Sequence, residues 1–229
     1  MISQCNIAVL GDGSVGKSSI VASFRSDSFG KIYKQTVGFD TCTKRLTIKG
    51  TECSLSVFDI GGQSIRSLNL PAYIGSAEAV FLCYDVTNAE SFRNLEDWLL
   101  LIRKHAPKKA SIHLVGNKVD MIGQRQVEST QHDVFIRENG LSGGAFTSAK
   151  SGENVVKMFY KVAALKCGVK LTDSDLLEYD KVLKAHISSE EDEGDRTTFA
   201  DEIEAEDRAM EQRKLQRESG GCAATCLLL

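Results

Sequence analysis

Short apolar runs of strand length alternate with helical patterns over the first three-quarters of the chain. Ile7-Ala8-Val9-Leu10, Leu55-Ser56-Val57-Phe58, Ala79-Val80-Phe81-Leu82-Cys83-Tyr84 and Ile112-His113-Leu114-Val115 read as strands, and Ala145-Phe146-Thr147 as a shorter last one. Segment 42–58 alternates on either side of Lys49-Gly50, which predicts an antiparallel hairpin. Phe92, Leu95, Leu99 and Ile102 recur at helical period and predict a crossover helix over Ser91–His105. A later stretch places Val155, Met158, Phe159, Val162 and Leu165 on one side of a helix that stops at Gly168. Continuous apolar strands joined by helices predict an α/β fold with a mostly parallel, six-stranded sheet covered by helices on both faces. Ligands on such sheets bind beyond the carboxyl ends of the strands.

Charge divides the chain. Residues 169–229 hold 8 Lys+Arg against 16 Asp+Glu, and the remainder holds 20 against 15, within a whole-chain net charge of −3. The organisation expected is a globular domain over 1–168, an extension over 169–187 that keeps some helical periodicity, and an acidic flexible tail over 188–229. The weak net charge argues against nucleic-acid binding by bulk electrostatics. No apolar run approaches the roughly 20 residues needed to cross a bilayer. Seven scattered cysteines form neither a Cys-x-x-Cys pair nor a Cys/His cluster, so the first five are expected to be small buried hydrophobes in a reducing compartment. Met1-Ile2-Ser3-Gln4-Cys5 shows no secretory pattern and no myristoylation glycine, so a cytoplasmic location is expected.

Four motifs stand where strands meet loops. Gly11-Asp12-Gly13-Ser14-Val15-Gly16-Lys17-Ser18 fits G-x-x-x-x-G-K-[ST] directly after the first strand. Its glycines let successive backbone N–H groups converge on phosphate oxygens, with a helix N-terminus behind them. Gly11, Gly13, Ser14, Val15, Gly16, Lys17, Ser18 and Ser19 are the candidate phosphate-binding residues, with Lys17 on the β/γ phosphates and the Ser18 hydroxyl on Mg²⁺. Asp59-Ile60-Gly61-Gly62-Gln63 ends the third strand. There Asp59 is a candidate Mg²⁺ group, Gly62 a backbone donor to a γ-phosphate, and Gln63 the catalytic residue that orients water. Asn117-Lys118-Val119-Asp120 follows the strand at 112–115. A carboxylate accepts from both the N1–H and the 2-amino group of guanine, and adenine lacks that donor pair, so Asp120 predicts GTP over ATP. Ser148-Ala149-Lys150 follows the last strand, with the Ala149 N–H positioned for the guanine O6. Asn117, Lys118, Ser148, Ala149 and Lys150 complete the candidate base site.

With these motifs, Tyr84-Asp85-Val86-Thr87-Asn88 and Ser91-Phe92, the chain resembles a Ras-superfamily small GTPase of the Rab type over Met1–Gly168. Phe29-Gly30-Lys31-Ile32-Tyr33-Lys34-Gln35-Thr36, Asp59–Gln63, Asn94-Leu95-Glu96-Asp97-Trp98, Lys161-Val162-Ala163-Ala164 and Gly168-Val169-Lys170-Leu171 are similar to the Rab twenty-eight branch. The resemblance implies the P-loop small-GTPase fold, with GTP/GDP and Mg²⁺ as ligands. It also implies that Thr36 binds Mg²⁺ and senses the γ-phosphate, that Phe29 packs on the guanine, and that Tyr33 folds over the phosphates. It implies slow intrinsic hydrolysis stimulated by a GTPase-activating protein, a guanine-nucleotide exchange factor, GTP-dependent effectors, and a monomeric switch in vesicle, endosomal or ciliary-membrane trafficking. Most Rabs carry Trp-Asp-Thr-Ala-Gly-Gln-Glu at the second switch, where this chain has Phe58-Asp59-Ile60-Gly61-Gly62-Gln63-Ser64, so partner identity does not transfer.

Cys226-Leu227-Leu228-Leu229 fits a C-a-a-X prenylation pattern, with Cys226 as the lipidation site and its leucine favouring geranylgeranyl. One lipid chain without a dense basic patch predicts modest, reversible anchoring to the cytosolic membrane leaflet, served by a prenyltransferase and a prenyl-binding carrier. Two other readings stay open on sequence alone: a nucleotide-locked scaffold with negligible turnover, and an ATP-using P-loop kinase, which Asp120 disfavours.

Overall fold

The sheet is built on both sides of its first strand. In the computed structural model, which describes residues 2–25, 39–62 and 70–179, β1 (Ser3–Gly11) pairs in parallel with β3 (Thr51–Ile60) and with β4 (Ala79–Asp85). β5 (Ser111–Asn117) continues outward from β4, and β6 (Gly143–Phe146) closes that edge, both in parallel. β2 (Phe39–Ile48) runs antiparallel to β3 on the other edge, giving the order β2-β3-β1-β4-β5-β6. The hairpin turns at Lys49 and Gly50, both at positive φ, as a two-residue loop of the twist-matched type requires.

Alternation along β1 explains the layering. Cys5, Ile7 and Val9 face a core shared with α1 (Lys17–Arg25) and α6 (Val155–Cys167), where Phe24 stacks on Phe159. Ala8 and Leu10 face the opposite core, shared with α2 (Leu70–Ser76), α4 (Leu95–His105) and α5 (Ser129–Glu138). All seven residues of β4 are buried, as its continuous apolar run predicts for a central parallel strand. β2 instead buries only Cys42, Leu46 and Ile48, the alternation of an edge strand with one wet face.

Three sequence expectations need correction. The helix over Ser91–His105 is two helices, α3 (Ala89–Arg93) and α4, interrupted at Asn94. It begins early because Asn88 caps it, its side chain accepting from the Glu90 and Ser91 amides. Leu165 does not share the buried face of α6: it is 65% exposed. It stands at the flank of that face, on a cleft of about 310 Å³ beside His113 and Gly143. The last strand stops at Phe146, with Thr147 in the following loop.

Of the first five cysteines, Cys5, Cys42, Cys53 and Cys83 are buried, Cys167 is half-buried, and all are free thiols. Beyond Gly168, Val169 and Leu171 pack against the α6-side core. Residues 173–179 are helical, with Leu176 buried and Tyr179 stacked on Tyr160. Among the described residues no helix is long and apolar enough to cross a membrane.

Candidate nucleotide site

The carboxyl ends of β1, β3, β5 and β6 bring the described residues of all four motifs together. After β1 the loop 11–16 turns into α1, whose first helical bond runs from the Ile20 amide to the Gly16 carbonyl at 2.9 Å. The amides of Lys17, Ser18 and Ser19 therefore lie in the first turn, where N–H groups lack helical acceptors. Ser14 holds φ 62° and Gly16 φ 89°, a curl of left-handed residues that turns successive amides inward. A Cβ on Gly16 would sit 2.3 Å from Asn117 Nδ2, so only glycine allows the loop to lie against β5.

Lys17 is buried, and its ammonium donates to the carbonyls of Gly11 at 2.9 Å and Asp12 at 2.5 Å. Burial holds its pKa below the ordinary lysine value, opposed by the nearby Cys83, Asp59 and Asp12. Asp59 lies buried at the end of β3, paired in register with Val9. Gly62 presses on the phosphate loop: a Cβ there would lie 2.2 Å from the Gly13 nitrogen and 2.3 Å from the Asp12 carbonyl carbon.

Asn117 joins the phosphate loop to the base motifs. It is 1% exposed, donates from Nδ2 to the Val15 carbonyl at 2.9 Å, and accepts at Oδ1 from the Ala149 amide at 3.1 Å and the Thr147 hydroxyl at 3.3 Å. The Ala149 N–H, expected from the sequence to face the base, is thus directed at Asn117. Ser148 is fully buried; its hydroxyl donates to Asp120 Oδ1 at 2.6 Å and accepts from the Ser151 amide at 3.0 Å. That leaves the Asp120 carboxylate exposed but oriented. Lys118 adopts φ 68°, and its ammonium pairs with buried Asp85 at 2.8 Å; Asp85 in turn accepts from the amide and hydroxyl of Thr87. Lys150 is exposed.

The donor set suits a triphosphate and a hard divalent cation. Glycine-bounded amides, one ammonium and a helix start face the loop, and Ser18 and Asp59 offer the oxygens that Mg²⁺ prefers. Among the described residues no group of three or more His, Cys, Asp or Glu could hold a metal ion. Phe29, Tyr33, Thr36, Gln63 and Cys226 lie outside the described residues. Sequence reasoning assigned no role to Asp12, Asn94, Trp98, Asp85 or Thr147. Asp12 sits at an unspecified position of the loop motif, and the others hold site residues from a distance that no local spacing encodes.

A family model described as Ras family matches residues 6–166. The chain belongs to the Ras family. Within that family it is similar to Ras-related protein Rab-28 of Caenorhabditis elegans, at 37% identity over 174 residues covering 74% of this chain and 70% of the relative. It is also similar to Ras-related protein Rab-13 of Bos taurus, at 34% identity over 157 residues, covering 69% and 77% respectively. It is a Rab-type GTPase of the Ras superfamily, and the six-stranded sheet is that of the P-loop GTPase fold. Members of this family bind GTP and GDP, typically with Mg²⁺, and hydrolyse GTP.

Proposed function

We propose that this chain is a GTP-driven switch whose base is gripped by Asp120 while the triphosphate lies in the loop beside Lys17. The observation that carries this reading is the Asn117 side chain, which ties Val15 of the phosphate loop to Ala149 of the base loop. Two sites that share a single buried brace act on one ligand. The ATP-using kinase reading loses ground because Ser148 holds a carboxylate at the base end, where adenine presents no matching donor pair.

Bound at Ser18, Thr36 and Asp59, Mg²⁺ would offset charge on the β/γ oxygens. Lys17 adds positive charge there, the amides of Gly13 to Ser19 orient the phosphates, and Gly62 offers its N–H to the γ-phosphate. Phe29 packs on the base and Tyr33 covers the phosphates. Gln63 orients the attacking water. Hydrolysis removes the group that Thr36 and Gly62 hold, so the segments around 31–40 and 60–72 change, and with them the surface read by exchange factor, GTPase-activating protein and effectors.

The cellular part of the proposal is recruitment of effectors to a cytosolic membrane face in vesicle, endosomal or ciliary trafficking. A prenyl group on Cys226 would act as anchor and a prenyl-binding carrier would return the protein to the cytoplasm; this part rests on sequence pattern alone. The 1–168, 169–187 and 188–229 organisation belongs to the same proposal.

A single-turnover phosphate-release assay on parent and Gln63→Leu tests the switch. The account expects slower release in the variant, and equal rates would remove Gln63 from the mechanism.

A further inference from the structure

Asp12 stands at a position the loop motif leaves free, yet both its carboxylate oxygens and its carbonyl accept hydrogen bonds. Its Oδ1 accepts from Trp98 Nε1 at 2.8 Å and its Oδ2 from Asn94 Nδ2 at 2.7 Å. Its carbonyl oxygen accepts from the Lys17 ammonium at 2.5 Å, and a Cβ on Gly62 would lie 2.6 Å from that same oxygen. One peptide unit thus meets the phosphate lysine on one side, the Gly61-Gly62 segment on another, and a fixed anchor on α4 at its side chain.

The anchor is rigid for reasons independent of the loop. Trp98 is 1% exposed in the core that α4 shares with the sheet, and an indole N–H can only donate. Asn94 sits at the interruption between α3 and α4, its backbone held by the bonds from its amide to the Glu90 carbonyl and from the Trp98 amide to its own carbonyl. Hydrogen bonds to a carboxylate are the stronger kind, and Asp12 takes two from donors fixed in place. A loop of glycines and left-handed residues has conformational freedom to lose when it closes on phosphates, and preorganisation lowers that cost.

We infer that Asp12, held by Trp98 and Asn94, is a positioning residue that fixes the phosphate loop and Lys17 for nucleotide retention. The inference rests on reading Gly11–Ser18 as the nucleotide site. Asn94 reaches the loop with its side chain while its backbone keeps the helical bonds to Glu90 and Trp98.

The test is GDP release from the full chain, measured with a fluorescent GDP analogue, alongside emission of Trp98, the single tryptophan. Trp98→Phe and Asp12→Ala should each speed release about tenfold, the scale of one charge-assisted hydrogen bond. The double variant should release no faster than Asp12→Ala alone, because that substitution already removes the Trp98 contact together with the one to Asn94. Asp12→Ala should also shift Trp98 emission in the GDP-bound protein. Leu100→Ala, on the exposed face of the same helix, should release at the parent rate. Asp12 lies on a half-exposed loop, so Asp12→Ala decides the matter even if Trp98→Phe fails to fold. Variants releasing at the parent rate, effects that multiply, or equal acceleration by Leu100→Ala would each overturn the inference alone. A parent chain that does not retain GDP would overturn it together with the nucleotide reading.

Discussion

Asn117 Nδ2 and the Val15 carbonyl oxygen, 102 residues apart in sequence, lie 2.9 Å apart in the fold. That bond, with the Ala149 amide on Oδ1, makes the phosphate loop and the base loop one body. Asn117→Ala breaks both and leaves a buried carbonyl and amide without their partner. Each such loss costs about 1–3 kcal/mol, so GDP release should accelerate at least about tenfold. Stopped-flow release of a fluorescent GDP analogue measures it; a rate within twofold of the parent would detach Asn117 from the site.

Gly16 makes the same brace possible from the other side. A side chain there meets Asn117 Nδ2 at 2.3 Å, and φ 89° is unfavourable for any residue with a Cβ. Gly16→Ala should weaken GDP binding at least about tenfold, of the order expected for one buried hydrogen bond plus backbone strain. Adding Asn117→Ala to Gly16→Ala should then cost less than Asn117→Ala costs alone, because the clash has already displaced that side chain. Titration calorimetry on the four proteins reads the coupling, and strict additivity would contradict the geometry.

Two histidines set an acid limit on the fold. Burial lowers the pKa of His113 and of His132 from 6.5 to about 4; His132 shares a hydrogen bond with the Tyr84 hydroxyl at 3.0 Å and lies near Asp133, which opposes the shift, and Arg125, which adds to it. Between about pH 6.5 and 4 the unfolded chain binds more protons at these rings than the folded one, so their contribution to stability falls as the pH is lowered through that window. Each 1 kcal/mol lost lowers Tm by about 2–4 °C in a domain of this size. His113→Gln should show a shallower Tm decline from pH 6.5 to 4 than the parent, and parallel curves would exclude the histidine from the effect.

The elements that local chemistry dictates were legible in the sequence, and those set by distant partners were not. The phosphate loop, the Lys49-Gly50 hairpin and the Gly168 stop each follow from residues within a few positions of one another. The placing of Asp120 just after β5 follows from the apolar run at 112–115, but the Ser148 hydroxyl that orients it comes from a loop 28 residues away. The bond from Asn94 to Asp12 was not legible, since it joins residues 82 positions apart. Leu165 keeps helical spacing with Met158 and Val162, yet it lies at the flank of the buried face of α6 and is exposed on a cleft beside His113 and Gly143. The Asp12–Trp98 bond spans 86 residues and leaves no periodic or compositional trace.

The base preference is the most direct test of the whole account. Fluorescent GDP bound to the full chain should be displaced by unlabelled GTP or GDP at near-stoichiometric concentration. ATP and ADP should fail to displace it even at about a thousandfold excess, because a buried or oriented acceptor without its donors discriminates by 10⁴ or so. Asp120→Ala should erase that difference. Equal displacement by guanosine and adenosine nucleotides in the parent chain would contradict the grip assigned to Asp120, and with it the reading of the site.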